Sequence, residues 1–263
     1  MRLASKSQFV LLLLWLVAGV FIKPIPADVL REPGSIQNKR CDQLMEQTLG
    51  AALVRQNWMD QYLANRQWRL DLNRQAIIIN QSLTLPVVLA GSFSKQTKTW
   101  LWAWANSAKT IPRSFKNRAR TLHQQVVGHP CRWLNQAYSN LMPQQIRNRL
   151  MLASSLYGQG AYIRFNYRDG IAYFLILQMP AQWKETINGL VLEKSVLQLA
   201  GCDVVNIKQA LHDLFKYFDK KVVSSSRSIK VAWSRRLNLV FKFNKKSGLV
   251  QVRRIYRAIS THK

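Results

Sequence analysis

Acidic residues are scarce in this sequence of 263 residues, which has 12 Asp and Glu against 39 Lys and Arg and a net charge of +27. Such a charge governs solubility and the choice of partner rather than the fold, and it favours anionic partners. The alternative is that the source organism makes basic proteins in general. Hydrophobic residues make up 48% of the chain, enough for a sizeable core, so intrinsic disorder is excluded as the class.

Cysteine is also rare, because the chain has only Cys41, Cys131 and Cys202. An odd, widely spaced count excludes a disulfide framework and leaves room for at most one bridge, with all three pairings open. No CxxC pair or Cys/His cluster has the spacing of zinc ligands, and the tripeptide His129–Cys131 is typical of a turn between helices. The sequence therefore predicts no metal site.

Residues suited to catalysis are few. The four histidines are scattered, and HExxH, GxSxG, P-loop and GxGxxG motifs are all missing. General acid–base chemistry needs a histidine or a perturbed carboxylate, so the sequence favours a protein without catalytic residues or a cofactor. The alternative is a cell-envelope hydrolase with a dispersed active site, for which a cleft grouping Asp71, Asp169 or a histidine would be evidence.

A long hydrophobic run is missing as well. The apolar stretch 9–22, "FVLLLLWLVAGVFI", has 14 residues, and a spanning helix needs about 18 to 20. It follows the basic "MRLASKSQ" and precedes "KPIPADV", a pattern that predicts a signal peptide over 1–27, cleaved after Ala27, and export to the periplasm or the extracellular space. An uncleaved membrane anchor over 9–22 is the alternative. The mature chain would keep 36 basic and 12 acidic residues, a charge of +24.

Hydrophobic periodicity predicts an α+β fold, in which hairpins form an antiparallel sheet with helices packed on one side. Residues 28–40 are predicted as a linker and 41–263 as a single α+β domain, with 205–263 as a basic C-terminal subdomain. Helices are expected at about 42–66, from Pro112 onwards, at about 143–157 and at about 206–219. Asn206 and Gln209 form the pattern of a capping box at the start of the last helix.

The stretch "TKTWLWAWAN" over 97–106 sets three tryptophans at alternate positions, as in a strand. A turn at "KQTK" predicts a hairpin that pairs Phe93 with Trp100, Gly91 with Trp102, and Leu89 with Trp104, all on one face. No charged residue interrupts the tryptophans, so the pattern favours a buried core face. An exposed platform for aromatic ligands is the alternative.

Three stretches together carry a family resemblance. "AGSFSKQTKTWLWAWAN", "IPRSFKNRARTLHQ" and "GAYIRFNYRDGIAYFLIL" resemble a family of uncharacterised bacterial proteins, marked by a G-x-[FY]-S hairpin and a T-W-L-W-[AG]-W-A-N strand. The resemblance covers Cys41 to Leu177 and implies a fold without implying an activity. In the third stretch, a turn at Asp169 and Gly170 predicts one face that carries Ile163, Phe165 and Tyr167 with Ile171, Tyr173 and Leu175.

The C-terminal region is the most basic part of the chain. Residues 216–263 contain 14 Lys and Arg against one acid, Asp219, a net charge of +13. A hairpin turning at "KKSG" pairs Phe241 with Val252 and Phe243 with Val250 inward and leaves a basic outer side. We expect an anionic membrane surface or a polyanion as partner; nucleic-acid binding is a further alternative, which export argues against. The candidate contacts are Lys242, Lys245, Lys246, Arg253, Arg235 and Arg236.

Overall fold

The computed structural model describes residues 36–108, 111–141, 143–157, 160–202, 204, 206–234, 237–244 and 248–256. The chain divides into two compact units. One comprises Arg66–Gln178 with the described residues up to Arg40, and the other comprises Cys41–Asn65 with the described residues from Met179 onwards. The predicted α+β class is confirmed, since both units combine helices with antiparallel strands. The single-domain organisation stays a prediction, and the predicted signal segment and linker up to residue 35 lie outside the described residues.

The first unit contains a seven-stranded antiparallel sheet and two α-helices. Its described elements are β1 (Trp68–Asp71), β2 (Ala76–Ile79), β3 (Leu83–Ser94), β4 (Thr99–Trp102), a 3₁₀ turn (Ala103–Ala105), α2 (Arg113–Gln124), a second 3₁₀ turn (Arg132–Leu134), β5 (Tyr138–Asn140), α3 (Pro143–Leu156), β6 (Ala161–Tyr167) and β7 (Gly170–Ile176).

The long strand β3 organises this sheet. Its first part pairs with β2, and its second part lies between β4 and β7. Within the β3–β4 hairpin, Phe93 pairs with Trp100 and Gly91 pairs with Trp102, which confirms the predicted register. Glycine is required at position 91, because a Cβ there would lie 2.4 Å from the Leu101 carbonyl oxygen and 2.6 Å from the Trp100 indole.

The prediction that Trp104 continues the strand opposite Leu89 is wrong. Strand β4 ends at Trp102, and Trp104 lies in the 3₁₀ turn that follows, closed by a hydrogen bond from the Asn106 amide to the Ala103 carbonyl. Its indole stacks on the imidazole of His123, with ring centroids 3.7 Å apart. A partner from α2 therefore replaces the expected strand partner.

The predicted face of the β6–β7 hairpin is also wrong. Tyr167 pairs with Gly170, so the turn consists of Arg168 and Asp169, one position earlier than expected. Ile163 and Phe165 consequently pair with Phe174 and Ala172, whereas Ile171, Tyr173 and Leu175 pair with Asn166, Arg164 and Tyr162. A two-residue turn always pairs odd-numbered with even-numbered positions here, so Ile163 and Phe165 cannot share a face with Ile171, Tyr173 and Leu175.

The second unit contains three α-helices and a four-stranded antiparallel sheet with the order β11-β10-β9-β8. Its described elements are α1 (Ile36–Ala64), most of which belongs here, α4 (Gly189–Ala200), α5 (Ile207–Tyr217), β8 (Val222–Ser224), β9 (Ser228–Ala232), β10 (Leu237–Asn244) and β11 (Gly248–Tyr256).

Helix α1 packs tightly within the second unit. At Gly50 an added Cβ would lie 3.0 Å from the Leu214 Cβ, so glycine lets α1 and α5 approach closely. The buried Asn57 amide donates to Ser195 and Gln198 of α4, at 2.9 Å each. The Arg55 guanidinium, also buried, donates to the Tyr217 hydroxyl at 3.3 Å, and burial lowers its pKa.

Half of the predicted capping box is present at the start of α5. The Asn206 side chain accepts a hydrogen bond from the Gln209 amide at 3.0 Å, as expected. The Gln209 side chain, however, donates to Asp213, and the Asn206 amide donates to the carboxylate of Glu46 at 2.7 Å. A residue of α1 thus fills the second half of the box.

The cysteines are consistent with one bridge at most. Cys41 and Cys131 are disulfide-bonded. Cys202 keeps its thiol, which donates to the Gln198 carbonyl at 3.2 Å.

Candidate functional site

The C-terminal sheet has one apolar face and one basic face. Along β9 and β10 the buried residues Ile229, Val231, Leu239 and Phe241 share one face, and the residues between them are polar or exposed except for Val240, which is also buried. Phe241 contacts Phe215 of α5, with ring centroids 5.4 Å apart. Helix α5 therefore packs against the apolar face, and the exposed basic residues lie on the opposite one.

We call that opposite side the outer face, and its position follows from strand pairing. Val240 in β10 pairs with Lys230 in β9 and with Arg253 in β11. Lys242 lies two residues further along β10, and Val223 in β8 pairs with Lys230. Directly paired residues project from the same side of a sheet, so three neighbouring strands each contribute one basic side chain. The outer face carries Val223, Lys230, Val240, Lys242, Arg253 and Ile255, together with the neutral residues Ser228, Ala232, Asn238 and Gln251.

The outer face differs from an ordinary sheet surface because it exposes apolar side chains beside the basic ones. Lys230, Lys242 and Arg253 are exposed, and the apolar residues Val223 and Ile255 are 59% and 48% exposed. Of the predicted contacts, Lys242 and Arg253 thus lie together on one face. The other four, Lys245, Lys246, Arg235 and Arg236, lie outside the described residues.

The predicted register of this hairpin is partly wrong. Phe241 pairs with Val252 as expected, but Phe243 pairs with Leu249 rather than with Val250. The reason is an irregularity between Lys242 and Phe243, which shifts the pairing by one residue towards the turn. Lys242 and Arg253 precede this shift and keep their outward positions.

Lys230, Val223 and Ile255 are not among the contacts predicted from the sequence. Strand β9 has the alternating sequence "SIKVA", which is typical of a half-buried strand with its lysine outward. This alternation predicts that the Lys230 side chain points to solvent. No comparable signal marks Val223 or Ile255, since the exposure of an apolar strand residue depends on what covers the sheet.

Groups suited to acid–base catalysis each have separate local partners. Asp71 lies 3.6 Å from Arg69 and 3.9 Å from Arg74, and Asp169 accepts a 3.4 Å hydrogen bond from Gln96. His123 bonds Asn135 at 3.1 Å, and burial lowers its pKa despite that bond. Within the described part of the chain, no three His, Cys, Asp or Glu side chains form a group that could hold a metal ion.

The tryptophan layer forms part of the core of the first unit. Trp100 and Trp102 are 1% and 2% exposed, which confirms their predicted burial. Their rings meet edge to face at 5.1 Å, Tyr173 packs against Trp100, and Trp133 stacks on Trp102. This layer is too enclosed to serve as a platform for stacked aromatic ligands.

Comparison with known proteins assigns the chain to a family. The model of a family of unknown function, DUF6882, matches residues 42–179, more than half of the chain. The chain belongs to DUF6882. This result confirms the predicted resemblance, and the outer face lies C-terminal to the matched segment. No curated protein and no solved structure matches the chain.

Membership of DUF6882 therefore assigns no chemistry to either unit. Among the helices that the structure describes, none has both the length and the apolar character of a membrane span. The predicted signal or anchor segment 9–22 lies outside the described residues.

Proposed function

We propose that this DUF6882 protein acts outside the cytoplasm, without catalysing a reaction, by binding an anionic membrane surface through the outer face of its C-terminal sheet. The observation that carries the proposal is the placement of Lys230, Lys242 and Arg253 on three adjacent strands, beside exposed Val223 and Ile255. The N-terminal apolar segment, typical of a signal peptide, supports export.

Charge supports an anionic partner. The region 216–263 carries a net charge of +13 in 48 residues, so nearly half of the +27 of the chain lies in its last fifth. Each basic residue near an anionic membrane surface contributes about 1 kcal/mol to binding. Three such residues on one rigid sheet would together contribute about 3 kcal/mol, which corresponds to roughly 100-fold in affinity.

The exposed apolar residues favour lipid over a soluble polyanion. A polyanion such as a nucleic acid is bound mainly through phosphate charge, and exposed valine and isoleucine contribute little to such binding. At a lipid surface, by contrast, apolar side chains enter the boundary between headgroups and acyl chains while the basic side chains contact the headgroups. Val223 and Ile255 are positioned for that role because they share the face with the three basic residues.

Charge reversal at the outer face tests the proposal. We expect the triple variant Lys230→Glu, Lys242→Glu, Arg253→Glu to lose at least roughly 100-fold in affinity for vesicles that contain phosphatidylglycerol. It should keep its fold, because exposed positions contribute little to the core. Co-sedimentation with anionic and with neutral vesicles, over a range of salt concentrations, would measure the effect.

A matched control separates position from total charge. The triple variant Lys95→Glu, Arg113→Glu, Arg120→Glu changes three exposed residues of the first unit and lowers the net charge by the same amount. We expect it to bind anionic vesicles nearly as well as the wild type. An equal loss of affinity in both variants would show that net charge alone accounts for the binding. Equally tight binding of neutral vesicles by the wild type would contradict an electrostatic contact.

Substitution of Val223 and Ile255 alone distinguishes an anionic lipid surface from a soluble polyanion as the partner. The double variant Val223→Ser, Ile255→Ser should bind anionic vesicles more weakly while its affinity for heparin or duplex DNA stays unchanged. If it binds vesicles as well as the wild type does, the apolar residues are irrelevant and a soluble polyanion becomes the better partner.

A further inference from the structure

The first unit contains an arginine whose charge has no counter-ion in the described part of the chain. Arg149 of α3 is half-buried, and its guanidinium donates to the Ser139 hydroxyl at 3.1 Å. The same guanidinium lies over the Trp133 ring, with Cζ 5.0 Å from the ring centroid. No Asp or Glu among the described residues forms an ion pair with Arg149.

This arrangement is unusual because removing a charge from water is costly unless the charge is paired. Burial lowers the pKa of Arg149 to about 10, so the group stays cationic at neutral pH. One hydroxyl and one aromatic ring are weak compensation for a group with five N–H donors. A chain with 12 acidic residues in 263 has few carboxylates to spare for this position.

The surroundings also fix the orientation of the guanidinium. Trp133 is held against Trp102, their rings nearly parallel and 6.4 Å apart, and Trp102 is itself buried. Ser139 lies in β5, where it pairs with Trp100. The ring and the hydroxyl therefore belong to rigid elements, and the planar donor fork of Arg149 is held before any ligand arrives. Such forks match carboxylate and phosphate groups, which accept two parallel hydrogen bonds.

We infer that Arg149, supported by Trp133 and Ser139, binds an oxyanion, the carboxylate or phosphate group of a ligand. This site lies within the segment 42–179 that defines DUF6882. It is separate in sequence from the outer face of the C-terminal sheet and does not depend on the membrane proposal. A stacked, oriented arginine would supply specificity for one group, whereas the outer face supplies attraction to a charged surface.

Tryptophan fluorescence of the full-length chain tests the inference, because Trp133 lies directly against the guanidinium. Titration with sodium phosphate and with sodium acetate, at an ionic strength held constant with sodium chloride, should produce a saturable change in the wild type. The anion with the higher affinity identifies the preferred group. We expect Arg149→Gln to bind that anion about tenfold more weakly or worse.

Three further variants show whether a loss of affinity is specific to the Arg149 guanidinium. Arg120→Gln removes an exposed charge from the same unit and should leave the affinity unchanged. Arg149→Lys keeps the charge and so protects against a loss of fold, but it lacks the planar fork and should still bind more weakly. The variant with Lys230, Lys242 and Arg253 changed to Glu should respond as the wild type does.

The inference would be overturned by a wild type that shows no saturable response. It would equally be overturned if Arg149→Gln and Arg149→Lys both kept the wild-type affinity. Loss of the response in the outer-face variant alone would assign the anion to the C-terminal sheet instead.

Discussion

Trp100 and Trp102 lie on one face of β4, yet different neighbours bury them. Trp100 occupies the space above Gly91 and meets Tyr173, whereas Trp102 stacks on Trp133. Neither indole N–H has a hydrogen-bond acceptor among the described residues. Their contribution to stability is therefore that of large apolar rings rather than of polar contacts.

Substitution of Trp102 tests this account. We expect Trp102→Ala to lower the free energy of unfolding by about 3 to 5 kcal/mol, the usual cost of removing a large aromatic residue from a core. Trp102→Phe should cost much less, because it keeps most of the apolar ring and removes an unpaired N–H donor. Denaturant unfolding would measure both. Equal losses in the two variants would show that the indole nitrogen matters, and an unchanged stability in Trp102→Ala would contradict the core assignment.

The paired tryptophans could be predicted from sequence, but Trp104 could not. Turn length and alternation set the β3–β4 register locally, so Phe93–Trp100 and Gly91–Trp102 followed from the printed sequence. Trp104 leaves the strand where a 3₁₀ turn begins and stacks on His123, a residue 19 positions later in the sequence. The alternating pattern carries no information about that distant partner.

Among the described helices, α4 is the one that the sequence does not predict. Its start, Asn188 and Gly189, is typical of a tight turn, yet Asn188 acts as the N-cap and accepts from the Val191 amide at 3.0 Å. The buried residues Leu192, Val196 and Leu199 do have helical spacing. An Asn-Gly dipeptide can form a tight turn or begin a helix. Here the burial of Leu192, Val196 and Leu199 in the second unit favours the helix.

The β6–β7 hairpin shows the limit of turn prediction. Asp169–Gly170 was expected to form the turn, but Gly170 pairs with Tyr167. A Cβ at position 170 would lie 2.3 Å from the Tyr167 hydroxyl and 2.4 Å from the Phe93 carbonyl oxygen. Glycine is needed there for this close approach within the sheet, a requirement that sequence alone does not distinguish from a turn.

The cap of α5 gives a prediction about a single element. We expect Asn206→Ala to lower the free energy of unfolding by about 1 kcal/mol, because the Gln209 amide loses its acceptor. Gln209→Ala should cost only a few tenths of a kcal/mol, since its side chain makes an exposed bond to Asp213. Thermal or denaturant unfolding would compare them. A larger loss in Gln209→Ala would contradict the assignment of Asn206 as the cap.

For the whole molecule, the sequence located the positive charge without showing its full arrangement. The count of basic residues in 216–263 and the hairpin pattern placed Lys242 and Arg253 outward. Lys230 joins them only because β9 pairs with β10, and the sequence pattern does not show which strands pair. The exposure of Val223 and Ile255 depends on the absence of a covering helix on that side of the described sheet, which composition cannot reveal.

The most direct test of the account is whether the outer face itself contacts lipid. A cysteine at Val223, labelled with an environment-sensitive fluorophore in a Cys202→Ser background, would report on the local polarity. We expect a blue-shifted emission when phosphatidylglycerol vesicles are added at low salt, and reversal at high salt. The same label on a cysteine at Lys95, in the first unit, should show no shift. An unchanged spectrum at position 223 while the protein co-sediments with the vesicles would contradict the account.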